Sequence, residues 1–219
     1  MKKMIISLFL AALMLTQAVF TVSAAGLPLA PQDAPQPALP SSISGTIVSV
    51  TDKTITVMSG QTGESIILSL GDIPRVVDCV SGQPVAAADM KKGDSVIAYY
   101  GPAVAQSMPP QSDALVVICN IPQDCQAPRY AQAESVEKAT DGNSVKVTID
   151  NGSIIVTINR DAPIFPYLTR NIVSIDDIKA GSQLLMWYPF AAPSYPARAT
   201  STKTVILGQA ALLDWLTVK

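Results

Sequence analysis

Val145-Lys146-Val147-Thr148-Ile149-Asp150-Asn151-Gly152-Ser153-Ile154-Ile155-Val156-Thr157-Ile158 contains two strands and the turn between them. Val145, Val147 and Ile149 alternate with Lys146 and Thr148, the period of two that sets one face of a strand against a core and the other in water. Asn151-Gly152 is the dipeptide that most readily takes the backbone angles of a tight hairpin. Ile154–Ile158 is then rich in β-branched residues, which fit a pleated, half-buried surface.

The second strand of this stretch has a counterpart earlier in the chain. Ile66-Ile67-Leu68-Ser69-Leu70 matches Ile154-Ile155-Val156-Thr157-Ile158 at an offset of 88. The same offset carries Asp89-Met90-Lys91-Lys92-Gly93 onto Asp177-Ile178-Lys179-Ala180-Gly181, and Val96-Ile97-Ala98-Tyr99-Tyr100 onto Leu184-Leu185-Met186-Trp187-Tyr188. It places Val116-Val117-Ile118 on Thr204-Val205-Ile206. We read a tandem duplication, with a first unit at residues 43–122 and a second at 129–208. Two copies are too few for a stacked solenoid, so each should bury a small core of its own.

Each copy reads as strands. Thr46–Val50 and Thr54–Met58 flank a Thr-Asp-Lys turn, and Gly60-Gln61-Thr62-Gly63 turns the chain into Ser65–Leu70. Lys-x-Gly at Lys91–Gly93 and Lys179–Gly181 fits one helical turn closed by a left-handed glycine. Ser95–Tyr100 and Gln183–Tyr188 follow, and Ala114–Asn120 or Lys203–Leu207 closes the unit. The fold class is therefore all-β: two tandem small β-barrels of OB-like size, which hide their sheet edges, or two-sheet sandwiches. In the tail, 209–219, Ala210, Leu213 and Leu216 stand at helical spacing, and a further strand is the alternative.

The N-terminus has the three parts of a secretory signal. Lys2-Lys3 precede an apolar run from Met4 to Val22, and Val22-Ser23-Ala24-Ala25 offers small residues for cleavage. Residues 1–24 are expected to be removed, so that a membrane is met only through the uncleaved signal. Residues 25–42 form a spacer in which Pro28, Pro31, Pro35, Pro37 and Pro40 deny both helix and central strand.

Composition then excludes several chemistries. Fifteen Lys+Arg against 17 Asp+Glu leave a net charge of −2, without the basic footprint of a nucleic-acid binder. There is no histidine, which removes Ser-His-Asp and Cys-His catalysis as usually built and the commonest transition-metal ligand. No cofactor and no metal are expected. Asp141, Asn143, Asp150 and Asn151 resemble weak calcium ligands, but hairpin turns explain the same residue types. Three cysteines, Cys79, Cys119 and Cys125, allow three pairings. Cys119 and Cys125 lie at the exit of the first unit and form the candidate disulfide; three buried apolar thiols are the alternative.

Both copies follow an aromatic strand end with a proline-rich loop. Tyr99-Tyr100-Gly101-Pro102-Ala103 leads to Ser107-Met108-Pro109-Pro110-Gln111-Ser112, and Trp187-Tyr188-Pro189-Phe190-Ala191 leads to Pro193-Ser194-Tyr195-Pro196. Proline pre-orders a loop and lowers the entropy lost on binding. Tyr99, Tyr100, Pro102, Pro109, Pro110, Gln111, Trp187, Tyr188, Phe190 and Tyr195 are thus the candidate partner-binding residues. The competing reading packs the aromatics under a stiff crossover that closes one end of each unit.

Asp89-Met90-Lys91-Lys92-Gly93-Asp94, Tyr99-Tyr100-Gly101-Pro102-Ala103 and Pro109-Pro110-Gln111-Ser112 resemble a β module of exported Firmicutes proteins. That module has a Lys-x-Gly-Asp turn, a Tyr-Tyr strand and a Pro-Pro-Gln loop, and it often stands beside domains labelled copper-amine-oxidase N-terminal-like. The second unit departs from it, with Pro196-Ala197-Arg198 in place of Pro-Pro-Gln. The resemblance implies an exported, wall-associated β protein and carries no activity with it.

The expectation is a non-catalytic binding or structural module, secreted or extracytoplasmic, at the cell envelope, spore surface or secreted matrix. Its partner would be a cell-wall glycan or an exported protein. An inhibitor or regulator of another exported protein is the alternative. A carboxylate-based glycan hydrolase is a third reading, but Asp72, Asp78, Asp89, Asp94, Asp176 and Asp177 all sit where turns and caps call for Asp.

Overall fold

Among the described residues the first unit has six strands, the longer of them marked by alternating apolar residues: β1 (Ser41–Val50), β2 (Thr54–Ser59), β3 (Ser65–Ser69), β4 (Val76–Asp78), β5 (Ser95–Tyr100) and β6 (Gln111–Cys119). The computed structural model describes residues 38–123, 125–167 and 172–209. The expected signal, the spacer up to residue 37 and the tail from residue 210 lie outside the described residues. Strand β1 begins at Ser41, inside the segment expected to be spacer.

Five of these strands close into a barrel. β1 pairs antiparallel with β2 and β5, β2 with β3, and β5 with β6. The ring is completed by a parallel pairing of β3 with β6, Leu68 opposite Ser112. β4 joins the far end of β6 as a sixth strand. A 3-10 turn at Ala87–Asp89 leads through Gly93, at φ 99°, into β5. That glycine's N–H donates to the Ile47 carbonyl at 2.8 Å, tying the turn to the barrel. Inside lie Ile47, Ile55, Val57, Ile66, Leu68, Val96, Ala98, Val117 and Cys119, all buried. Each large apolar side chain removed from water contributes about 1.5–3 kcal/mol.

The second half repeats this plan with two cuts. Its strands are β7 (Arg129–Gln132), β8 (Ser135–Lys138), β9 (Ser144–Ile149), β10 (Ile154–Asn159), β11 (Ile164–Pro166), β12 (Ser182–Trp187), β13 (Ala197–Ser201) and β14 (Lys203–Gln209). They form two four-stranded sheets, β13-β10-β9-β8 and β11-β14-β12-β7. β7 and β8 together take the place of β1, and β13 and β14 that of β6. The first unit is thus a barrel and the second a barrel opened into two sheets, so both arrangements left open by the sequence occur in one chain.

One residue accounts for much of the difference. Gly45 pairs with Val96 of β5 and also with Ser59 of β2. A Cβ there would lie 1.9 Å from the Met58 carbonyl oxygen, so only glycine allows β1 to serve both neighbours. The equivalent of Val96 is Leu184, and its partner is Ala131. The methyl of Ala131 excludes the same approach; β7 ends at Gln132, and pairing to β9 resumes only with β8.

The ladders also correct the alignment at the last match, Val116-Val117-Ile118. Ile97 faces Ile118, whereas Leu185 faces Val205. Ile118 therefore corresponds to Val205, and Val116 to Lys203, an offset of 87. The second proline-rich loop is one residue shorter, and Cys119 corresponds to Ile206 rather than Leu207.

A third core joins the two halves. The outer faces of β4 and β6 supply Val77, Cys79, Val116 and Ile118, and Tyr130, Tyr167, Leu185, Trp187 and Val205 come from the second half. Val77 is equivalent to Phe165, Ile97 to Leu185, Tyr99 to Trp187 and Ile118 to Val205, and all eight belong to this cluster. Each half therefore offers the same surface, the self-matching mode of a two-fold dimer.

Candidate binding site

The aromatic strand ends and the loops that follow them have separate fates. Trp187 is only 8% exposed and its indole N–H donates to the Cys79 carbonyl at 2.9 Å. Lys203, at the position of Val116, lies 4.3 Å over the Trp187 ring and donates from Nζ to the Val80 carbonyl. Tyr99 is half-buried in the same cluster, with its ring 5.8 Å from that of Tyr130 and its hydroxyl donating to the Pro128 carbonyl at 3.3 Å. Burial pushes the Tyr99 phenol up from its ordinary range. These two candidates hold the halves together and do not face a partner. A strand end sends alternate residues to opposite faces, so Tyr99 and Trp187 turn to the shared core while Tyr100 and Tyr188 turn to their own units. Tyr188 is half-buried there, and its phenol too is pushed up by burial.

The loops beyond remain on the surface and share one construction. In the first, Ala105 N–H donates to Gln111 O at 2.8 Å, Ser107 N–H to Ala105 O at 2.9 Å, and Ser107 Oγ to Pro109 O at 2.6 Å. In the second, Ala192 N–H donates to Arg198 O at 2.7 Å, Ser194 N–H to Ala192 O at 2.8 Å, and Ser194 Oγ to Pro196 O at 2.8 Å. Met108-Pro109 and Tyr195-Pro196 are both cis peptides. Residue for residue, the same loop presents Met108 in one unit and Tyr195 in the other.

Both side chains stand in solvent. Met108 is fully exposed, Tyr195 88% and Phe190 71%. Pro102, Pro109 and Gln111 are exposed as well, and Pro110 is half-buried. Met108 was not singled out by the sequence reading; the signal available was its place before proline, matching Tyr195 once the offset of 87 is used.

Two grooves border the first loop. One of about 530 Å³ runs along the β3–β6 seam between Thr54, Ser69, Val104, Gln111 and Asp113. The other, about 450 Å³, lies between Ser42, Ser59, Gln61, Glu64, Tyr100 and Pro110. Their linings set hydroxyls and amides among apolar side chains such as Ile67, Val104 and Ile66, with one acid in each, Asp113 or Glu64. Tyr100 lines the second of these grooves.

Four of the six carboxylates weighed for hydrolysis have structural partners. Asp78 Oδ1 accepts from Val80 and Ser81 N–H, and Oδ2 from Asn120. Asp94 accepts from Lys91 N–H, and Asp177 forms a capping box with Ser174. Asp176 pairs with Lys138 and Arg160 at 2.8 and 3.1 Å. Of the calcium-like residues, Asp150 is paired with Arg129 and Asp141 accepts from Asn143 N–H.

The thiols do not meet as the sequence suggested. Cys119 Sγ lies inside the barrel, 3.6 Å from the Val77 carbonyl, whereas Cys125 belongs to the cluster between the halves. Cys119 points to the inner side of β6 whereas Cys125 packs in the cluster on its outer side, beside Cys79. Compared with protein-family models and with curated proteins, the chain gives no match.

Proposed function

We propose that the protein is an exported, non-catalytic binding module of the cell envelope that engages wall polysaccharide through its two proline-ordered loops. The observation that carries this reading is the repeated loop, which uses one set of hydrogen bonds to hold Met108 and Tyr195 in water. A large apolar side chain so exposed adds nothing to folding. Fixing it at a preordered loop lowers the entropy lost when a partner covers it. Tyr195 and Phe190 give flat faces for sugar rings, and the groove beside Tyr100, which sets hydroxyls and amides among apolar side chains, suits a polyhydroxylated chain. Closed barrels of this OB-like strand order bind oligosaccharides and oligonucleotides alike, and the net charge of −2 favours the uncharged polymer. Two loops on one chain raise avidity wherever both can reach the same polymer.

Co-sedimentation with purified wall sacculi tests this. The wild type should pellet with the sacculi, and a Phe190→Ala/Tyr195→Ala variant with unchanged circular dichroism should stay in the supernatant. Equal retention of both proteins removes the loops from the reading, and retention of neither removes the polysaccharide.

A further inference from the structure

Cys79 and Cys125 are separated by 46 positions in sequence, yet their Sγ atoms lie 3.3 Å apart. Cys79 follows β4 and is buried; Cys125 is half-exposed on the connection, residues 120–128, that carries the chain from β6 to β7. Both belong to the apolar cluster between the halves, with Val77, Ile118, Tyr130 and Trp187 around them. Cys119 is excluded from the pair because its thiol faces the opposite side of its strand. We infer that Cys79 and Cys125 form a dithiol/disulfide site that, when oxidised, staples the connecting segment to the first unit at the seam between the halves. The inference does not depend on what the loops bind.

The exposures assign an order to the chemistry. A disulfide donor of the glutathione or thiol-oxidoreductase class reaches Cys125 from solvent. The Cys125 thiolate attacks one donor sulfur, forms a mixed disulfide and expels the donor's other half as thiolate. Cys79 then loses its proton to solvent and attacks the Cys125 sulfur, releasing the second donor thiolate. Two protein thiols are oxidised and one donor disulfide is reduced to two thiols, so atoms and electrons balance. Burial, followed by the neighbouring Cys125, pushes the Cys79 thiol up to about 12. The closing attack is therefore the slow step near neutrality and quickens as pH rises.

The lock acts where the halves meet. The carbonyl of Cys79 accepts the Trp187 indole N–H, and Pro128 at the end of the connection accepts the Tyr99 hydroxyl. A bridge across this seam restricts the unfolded chain and holds the connection against β4 while the second unit is docked.

The test uses the full chain equilibrated with oxidised glutathione, quenched by alkylation and mapped by peptide mass spectrometry, with and without reductant. The expected result is a Cys79–Cys125 peptide, with Cys119 alkylated only after unfolding. Oxidation should raise the thermal midpoint by roughly 5–10 °C. Cys125→Ser should abolish both effects and Cys119→Ser neither. Cys79→Ser should retain a single glutathione on Cys125. A bridge that includes Cys119, free alkylation of Cys79 and Cys125 after equilibration, or an unchanged midpoint on bridging would each overturn the inference.

Discussion

The indole N–H of Trp187 and the backbone carbonyl of Cys79, 108 positions apart, are joined by a buried hydrogen bond of 2.9 Å. It crosses the seam between the halves and gives a strand-end tryptophan a structural task. Trp187→Phe keeps a ring in the cluster but leaves the Cys79 carbonyl without its donor. A buried group left unsatisfied costs about 1–3 kcal/mol. Trp187→Ala also empties the site and should cost about 3–5 kcal/mol. Urea unfolding followed by circular dichroism checks both, and the alanine variant should unfold in two separated steps as the halves uncouple.

Gly45 should be intolerant of any side chain. Gly45→Ala puts a methyl against the Met58 carbonyl, and the two backbones must part, at a cost of about 3 kcal/mol. Hydrogen exchange should then show the amides of β1 and β2 losing protection while those of β9 and β10 keep theirs. Equal loss in both halves would count against this account of the closed barrel.

The loop residues should behave in the opposite way. Met108→Ser, Phe190→Ser and Tyr195→Ser remove exposed apolar surface and touch no core, so each should shift stability by less than about 0.5 kcal/mol. Thermal melts check this, and light scattering at high concentration should show less self-association in the triple variant.

Asp78 should contribute to acid sensitivity. Burial works to raise its pKa, but the N–H and hydroxyl of Ser81, the Asn120 amide and the Val80 N–H outweigh it, so the carboxyl is held below 3.8 in the folded protein. A depressed folded value adds stability above the unfolded pKa, and that stability fades as pH falls through the folded one. Asp78→Asn should thus flatten the dependence of unfolding free energy on pH below about 4, measured by urea titrations at several acid pH values.

Much of the fold is legible where apolar alternation is clean. Ile55 and Val57, Ile66 and Leu68, and Val145 to Ile149 mark β2, β3 and β9, whereas the two 3-10 turns end at Met90 and Ile178, ahead of the Lys-x-Gly glycines expected to close them. β4 and β11 are three residues each, too short for any periodicity to register, and they exist because β6 and β14 leave an edge free. The opening of the second barrel hangs on Ala131 against Gly45, a contrast that acquires meaning only when the Met58 carbonyl is seen beside it. For the candidate site, the proline-rich loops were visible as sequence. Which aromatic would face outward was not, because a strand end sends neighbours to opposite sides: Tyr99 and Trp187 to the shared core, Tyr100 and Tyr188 to their own units. The cysteine pairing followed the same logic, since nearness along the chain put Cys119 with Cys125 while Cys119 points into the barrel and Cys125 packs in the cluster between the halves.

The matching of like surfaces between the two halves has a consequence at high dilution. Two separate copies held by this face would come apart on dilution, because their association depends on how many are present. Here residues 120–128 tie the copies, and each finds the other at a fixed local concentration whatever the volume outside. The pair survives as a pair however dilute the protein, and the two loops stay on one molecule.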